Sequence, residues 1–154
     1  MKFKLNSRGV TLIEMMATVA IISILAVCVL PLSRVMYVRT HEIELKRNLR
    51  TIRTAIDRYK QAVSEKKISV AADSSGYPKN LEILVKGVEL QDVKKTRIKF
   101  LRRIPEDPMT EEGRWGLRSY ADEPDSTTWG GQDVYDVYSL SPKKALDGSS
   151  YSKW

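Results

Sequence analysis

The chain has 154 residues, of which 42% are hydrophobic and 29% charged, with a formal net charge of +7. This length accommodates one small domain and excludes two. The single cysteine, Cys28, excludes an intramolecular disulfide, and the single histidine, His41, excludes a His/Cys metal cluster. We interpret His41 as a surface residue on a helix. The densest basic segment, residues 94–103, contains one aromatic residue, so we interpret it as a solvated face and expect no nucleic acid partner.

Residues 10–32 form an apolar run of 23 residues that carries one charge, Glu14. A helix of this length spans about 35 Å, enough to cross the ~30 Å hydrocarbon core of a bilayer. The basic residues Lys2, Lys4 and Arg8 precede the run, which predicts a cytoplasmic N-terminus and an exported remainder. We therefore expect a transmembrane and assembly helix at residues 10–32.

The residues before this run do not fit a secretory signal peptide, in which a small-residue cleavage site follows a shorter apolar core. Here the small residue, Gly9, comes first, and the order is basic leader, glycine, then apolar helix. The segment Ser7-Arg8-Gly9-Val10-Thr11-Leu12-Ile13-Glu14 resembles the class III leader junction of type IV pilins and type II secretion pseudopilins. The resemblance implies that a prepilin peptidase cuts after Gly9, removes residues 1–9 and methylates the new amine of Val10. The usual first mature residue in these families is Phe, and Val10 departs from it.

Glu14 and Pro31 are the two unusual residues of the apolar run. A carboxylate inside a bilayer costs several kcal/mol unless it is neutralised or paired, although an interfacial glutamate could also reach water. Cleavage after Gly9 would create an amine at Val10 of a neighbouring chain as a partner, so Glu14 is predicted to act in assembly. Pro31 removes one helical hydrogen bond and predicts a helix kink. Related filament subunits resemble this, with a proline at the corresponding place.

Residues 33–67 are predicted to form an amphipathic stalk helix. They hold ten Lys/Arg and four Asp/Glu residues, and their apolar residues recur at alternating steps of four and three: Leu45, Leu49, Ile52, Ile56, Tyr59 and Val63. The simplest interpretation is that this stripe packs on the domain that follows it.

Residues 68–154 are predicted to form a globular head. Asn80 can cap a short helix that Gly87 stops, and two strands are expected at residues 117–121 and 134–140, joined by a polar loop. The predicted fold class is therefore α+β and pilin-like: a long N-terminal helix, transmembrane in its first half, packed on a small antiparallel sheet.

The head also carries a resemblance. Gly76-Tyr77-Pro78, Arg103-Ile104-Pro105-Glu106-Asp107-Pro108, Asp136-Val137-Tyr138-Ser139-Leu140 and the final Ser150-Tyr151-Ser152-Lys153-Trp154 look like the major, G-type pseudopilin of type II secretion. The resemblance implies a single-pass inner-membrane protein of a Gram-negative bacterium, with a periplasmic head, that polymerises into a helical homo-oligomeric filament and helps export folded proteins across the outer membrane. The implied partners are the prepilin peptidase, minor pseudopilins and the inner-membrane assembly platform.

Most G-type heads bind calcium in an acid-rich loop after the last strand, a site that needs six to eight oxygen ligands. In this chain the loop is residues 141–150, where Lys143 and Lys144 stand near the first expected ligand and Asp147 is the one carboxylate. Asp147-Gly148 is more simply a turn. Asp147 is thus a weak calcium candidate, and no cofactor is expected.

Two other functions fit parts of the sequence. A type IV pilin for adhesion, motility or DNA uptake has the same architecture, although the lone Cys28 excludes the disulfide-closed C-terminal loop of many pilins. A membrane-tethered binding module that never polymerises is less favoured, because a simple anchor has no use for Glu14. No nucleophile, paired-acid or phosphate-loop signature is present, so the chain is not expected to be an enzyme.

Overall fold

The computed structural model describes residues 9–71, 73–92 and 96–154, and within the first helix the side chains of residues 28–32 lie outside the description. The chain divides into two compact units, one ending at Val38 and one running from Arg39 to Trp154. Apart from Gly9, the predicted leader lies outside the described residues.

The secondary structure within the described residues confirms the α+β class, with one long N-terminal helix followed by short antiparallel strands. The elements in chain order are α1 (Leu12–Ser64), α2 (Glu82–Lys86), β1 (Val88–Glu89), β2 (Arg97–Ile98), β3 (Trp115–Arg118), β4 (Asp136–Ser139) and a 3-10 turn (Tyr151–Lys153).

The C-terminal end of α1 lies within three residues of the predicted end near Lys67. Lys66 adopts a left-handed conformation with φ of 56°, and its N–H donates to the carbonyl of Val63 at 2.9 Å. The next N–H, of Lys67, donates to the carbonyl of Ala62 at 2.9 Å. These bonds satisfy carbonyl groups that the end of a helix would otherwise leave without partners.

The predicted apolar stripe of α1 forms one side of the head core, as expected. Leu45, Leu49, Ile52 and Ile56 are at most 2% exposed, and Tyr59 is 6% exposed. They join a core that also contains Leu84 of α2, Val137 of β4, Tyr151 of the final turn, and Val134 just before β4. Burying each such aliphatic side chain contributes about 1.5–3 kcal/mol before the entropy of folding is subtracted. The part of α1 from Arg39 onward is therefore an integral element of the head.

The two predicted strands pair with each other, but their ends differ from the prediction. β3 and β4 are antiparallel, with Trp115 opposite Ser139 and Arg118 opposite Asp136. β3 was expected to continue to residue 121, and it ends at Arg118. The next two N–H groups, of Ser119 and Tyr120, donate instead to the carboxylates of Asp122 at 2.7 Å and Asp133 at 2.9 Å. Side-chain acceptors thus replace the backbone ladder and turn the chain away.

A second small sheet was not expected from the sequence. β1 and β2 form an antiparallel pair in which Val88 lies opposite Ile98 and Glu89 opposite Arg97. Gly87 precedes it with φ of 79°, and a Cβ at this position would lie 2.4 Å from the carbonyl oxygen of Ile98. Glycine is therefore needed here both for the turn and for the close approach. The end of α2 at Gly87 was predicted correctly, and the Asn80 side chain accepts the N–H of Ile83 at 3.1 Å as expected, but the helix begins at Glu82, one residue later than the predicted Leu81.

An arginine network ties the sheet to α1. The Arg53 Nε donates to Asp136 Oδ1 at 2.7 Å, and its Nη2 donates to the Trp154 backbone oxygen at 2.7 Å. From the other side, the buried Arg118 lies 3.5 Å from Asp136 Oδ2 and donates to the carbonyl of Ser152 at 3.1 Å. One carboxylate therefore holds two guanidinium groups that fasten the final turn to the helix.

No helix within the described residues combines the length and the apolar character that crossing a membrane requires. The transmembrane assignment of residues 10–32 remains a prediction. The helix kink expected at Pro31 falls among the positions whose side chains are not described, and it too remains a prediction.

Tyr151 provides a pH test of the head core. Burial raises the pKa of Tyr151 to about 12, and a hydrogen bond of 3.0 Å from its hydroxyl to Glu42 adds to the shift. The unfolded chain ionises this phenol near pH 10, so between pH 10 and 12 the unfolded state binds fewer protons than the folded state. We therefore expect the free energy of unfolding to fall by about 2 kcal/mol over this range.

The measurement is urea unfolding at several alkaline pH values, on a soluble fragment beginning near Val35 that we predict to fold alone as a monomer. The Tyr151→Phe variant is the control, since it keeps the ring and loses the ionisable group. Burial also raises the pKa of Tyr59 and Tyr77, so the difference between parent and variant isolates Tyr151. Equal alkaline slopes in parent and variant would contradict the prediction.

Candidate functional site: the start of the N-terminal helix

Gly9, Val10 and Thr11 precede α1 and are not helical. Gly9 is exposed, and a Cβ built on it would meet no atom of the described residues within 4 Å. The described part of the chain therefore gives no steric reason for a glycine at this position.

Thr11 caps the first turn of α1. Its hydroxyl oxygen accepts the N–H of Glu14 at 3.3 Å, and its carbonyl accepts the N–H groups of Glu14 and Met15, each at 3.1 Å. A threonine followed three residues later by glutamate is the capping-box pattern, in which the glutamate can also reach back to the start of the helix. This role of Thr11 was not predicted from the sequence, although the spacing of Thr11 and Glu14 is the capping signal.

Glu14 lies in the first turn of α1, and its side chain is exposed. An acidic residue in this position interacts favourably with the N-terminal end of the helix dipole. It makes no ion pair with any residue that the structure describes.

The helix that follows presents apolar side chains on every side. Between residues 10 and 27 the large apolar residues are 52–80% exposed: Val10, Leu12, Ile13, Met15, Met16, Val19, Ile21, Ile22, Ile24, Leu25 and Val27. The hydroxyls of Thr18 and Ser23 donate to the carbonyls of Met15 at 2.9 Å and Val19 at 2.7 Å, within the helix. These donors are satisfied without water, as an apolar environment requires. An exposed apolar surface of this extent is typical of an interaction site.

The sequence family described as Prokaryotic N-terminal methylation motif matches residues 4–27. The chain carries a type IV pilin-like prepilin signal. The matched range contains Gly9, Val10 and Glu14, and it continues through the apolar helix. The motif supports a pilin-like protein in general, a class that includes pseudopilins, and it is typical of exported bacterial proteins anchored at the membrane. Neither the search of curated proteins nor the search of solved structures found a significant match.

The loop that contains the weak calcium candidate folds as a turn. Asp147 Oδ1 accepts the N–H of Ser149 at 2.8 Å and its hydroxyl at 2.6 Å, and Gly148 has a φ of 86°. The two hydrogen bonds from Ser149 lower the pKa of Asp147. The described residues contain no group of three or more His, Cys, Asp or Glu side chains that could hold a metal ion. The interpretation of Asp147-Gly148 as a turn is confirmed.

His41 behaves as expected, and one structural residue was missed. His41 lies on α1 and is partly exposed, in agreement with a surface residue on a helix. Asp107, which the sequence placed only in an irregular segment, is 1% exposed and accepts hydrogen bonds from Ser139 Oγ at 2.7 Å and from the N–H of Met109 at 2.9 Å. Asp107 is therefore a structural carboxylate that joins the Pro-rich loop to β4.

Proposed function

We propose that this chain is the major pseudopilin of a type II secretion system. It is the structural subunit of a periplasmic filament that polymerises through its N-terminal helix and helps export folded proteins across the outer membrane. The observation that carries the proposal is the methylation motif at residues 4–27, placed directly on a helix whose apolar side chains are exposed on every side. A helix with this surface needs a bilayer before assembly and other apolar helices after it.

The start of the helix suggests how assembly is controlled. In this proposal a prepilin peptidase cuts after Gly9 on the cytoplasmic side, and the amine of Val10 is methylated and remains cationic. Within a bundle of apolar helices that amine and the Glu14 carboxylate of an adjacent subunit attract each other strongly, because the local dielectric constant is low. Desolvation offsets part of this gain, so the pair selects axial register more than it adds affinity.

The head supports a structural role rather than a catalytic one. Its buried polar residues make structural hydrogen bonds, such as those of Asp107 with Ser139 and of Arg118 with Ser152. One core contains residues of the strands β3 and β4 and of the apolar stripe of α1. The head is therefore a folded unit that includes the C-terminal part of the helix. In the proposed filament, this unit faces the periplasm and meets the heads of neighbouring subunits.

The experiment is deletion of the gene in its native host, followed by analysis of proteins in the culture medium. The proposed function predicts that folded secreted proteins accumulate in the periplasm, and that expression of the chain restores their release. Overproduction should yield filaments that contain the chain and are visible by electron microscopy. A deletion strain with normal secretion but defective twitching, adhesion or DNA uptake would indicate that the chain is a type IV pilin and not a pseudopilin. The absence of filaments under all conditions would favour a membrane-tethered binding module.

A further inference from the structure

The loop that follows β4, residues 141–150, is folded back on itself. Lys144 and Ser150 pair as an isolated antiparallel bridge at its base. Within the loop, the N–H of Ala145 donates to the carbonyl of Ser149 at 2.8 Å. Ala145 is buried and belongs to the head core. Backbone hydrogen bonds therefore close this segment, which we call the C-terminal loop, and Ala145 packs it on the core.

A carboxylate of α1 holds the C-terminal loop from outside. The Oε1 atom of Glu42 accepts the N–H of Leu146 at 2.7 Å and the hydroxyl of Tyr151 at 3.0 Å. These two donors lie 104 and 109 residues further along the chain. Tyr151 is 1% exposed, so the bond to Glu42 satisfies a hydroxyl that has little access to water. Glu42 thus ties the tip of the loop, and the residue that follows the loop, to the helix.

One turn further along α1, Lys46 contacts the same region. It lies four residues after Glu42 and therefore on the same face of the helix. The Nζ atom of Lys46 is 4.1 Å from the centroid of the Trp154 ring, and the Nε1 of Trp154 donates to Ser149 Oγ at 2.7 Å. Hydrogen bonds from Ser149 and, more weakly, the positive charge of Lys46 lower the pKa of Asp147. This face of α1 thus presents both an anion and a cation to the C-terminal loop.

The resemblance to G-type pseudopilins implies a calcium ion in this loop, and the donor groups do not fit one. Calcium takes six to eight oxygen ligands, several of them carboxylates. Asp147 is the one carboxylate of residues 141–150, and its Oδ1 already accepts two hydrogen bonds from Ser149. Lys143 and Lys144 add positive charge to the loop, which opposes a divalent cation. The C-terminal loop, which the structure describes in full, therefore does not provide the ligands that calcium requires.

We propose that Glu42 fastens the C-terminal loop to α1 in place of a calcium ion, so that the head folds without one. A bound cation would hold the loop by its oxygen atoms, whereas Glu42 holds it by an N–H and an O–H donor. Hydrogen bonds to a carboxylate are roughly twice as strong as those between neutral groups. The lysines that oppose a cation here, Lys46, Lys143 and Lys144, favour an anion in the same region. This inference concerns the head and goes beyond the proposed function.

The test is hydrogen exchange of the full chain in a mild detergent, measured by mass spectrometry of its peptides with calcium and, in parallel, with the chelator EGTA. In the parent, peptides covering residues 144–151 are expected to exchange equally slowly in both conditions. Glu42→Ala is expected to make these peptides exchange about tenfold faster, because local opening no longer breaks hydrogen bonds to a charged group. Calcium should not restore the slow exchange. Peptides from β4 should stay protected, which shows that the opening is local.

Two further variants make the reading specific. Glu42→Gln keeps an acceptor of similar size without the charge, and its peptides are expected to exchange at a rate between those of the parent and Glu42→Ala. If Glu42→Ala unfolds the whole head, the comparison of Glu42→Gln with the parent decides instead. Glu44→Ala is the matched control, because it removes an exposed carboxylate from the same helix, two residues away. It should exchange like the parent.

Three results would overturn the proposal. Slower exchange of residues 144–151 in the parent with calcium than with EGTA would show that the loop binds the ion. Calcium that restores slow exchange to Glu42→Ala would show the same. Exchange in both Glu42 variants as slow as in Glu44→Ala would show that Glu42 does not hold the loop. None of these measurements requires filaments or secretion, so their outcome is independent of the proposed function.

Discussion

Replacing Glu14 with leucine is expected to abolish filament assembly while the precursor is still inserted and cut after Gly9. The leucine variant retains an apolar helix and the residues at the cut, so insertion and processing have no reason to change. What it loses is the single carboxylate between residues 10 and 27. Without that carboxylate the cationic amine of a neighbouring Val10 would be buried unpaired, which typically costs about 3–5 kcal/mol and corresponds to more than a hundredfold loss of assembly.

A competing explanation for Glu14 comes from the helix start, because Thr11 caps α1 and a glutamate three residues later matches the capping-box pattern. Glu14→Gln separates the two roles. Glutamine is also accepted at this position of a capping box, so a capping role predicts near-normal assembly. The charge-pair role predicts that glutamine fails almost as badly as leucine, whereas Glu14→Asp is milder because the charge remains on a shorter side chain.

The measurement is filament yield by electron microscopy and by cross-linking of the native Val10-to-Glu14 neighbours in cells overproducing each variant. Met16→Leu is the matched control. It introduces a leucine two residues further along the same helix and removes no charge. Normal yield from Glu14→Leu would mean that apolar packing alone determines the register, and the charge-pair mechanism would then be abandoned.

Much of the fold followed from local patterns in the sequence. The apolar stripe from Leu45 to Val63 predicted both the helix and the face that packs, because the period of an amphipathic helix needs no knowledge of its partner. The Asn80 cap and the Gly87 stop were also predictable, since their chemistry is satisfied within a few residues. The pairing of β3 with β4 followed from two apolar segments joined by a polar loop.

The features that were missed depend on contacts distant in sequence. β3 ends at Arg118 because Asp122 and Asp133 capture the next two N–H groups, and nothing in residues 117–121 indicates this. The β1 and β2 pair consists of two residues each, too short to give an alternating pattern. Asp107 is buried, and one of its hydrogen-bond donors is Ser139, 32 residues later in the chain. At the candidate site, by contrast, the prepilin signal could be predicted from the sequence alone, because the spacing of Gly9 and Glu14 from the apolar run is itself the signal.

The second large effect is expected at Gly9, where substitution by leucine should leave the precursor uncut. A peptidase must bring its reacting groups against the backbone at this position, and a bulky side chain holds the scissile bond away from them. A displacement of about 1 Å can slow such a reaction about 100-fold. The described residues offer no competing steric explanation, because a Cβ at position 9 meets none of their atoms within 4 Å.

The measurement is the intact mass of the protein isolated from its native host. The parent should lack residues 1–9, begin at Val10 and carry one added methyl group, whereas the Gly9→Leu variant should retain the leader. Gly9→Ala should be cut slowly, since a single methyl group displaces the backbone less than a leucine side chain. Val10→Phe is the matched control on the other side of the bond, and it should be cut normally because phenylalanine is the usual residue there. A parent protein that still begins at Met1, or a Gly9→Leu variant cut as fast as the parent, would show that the motif at residues 4–27 is not processed in the proposed way.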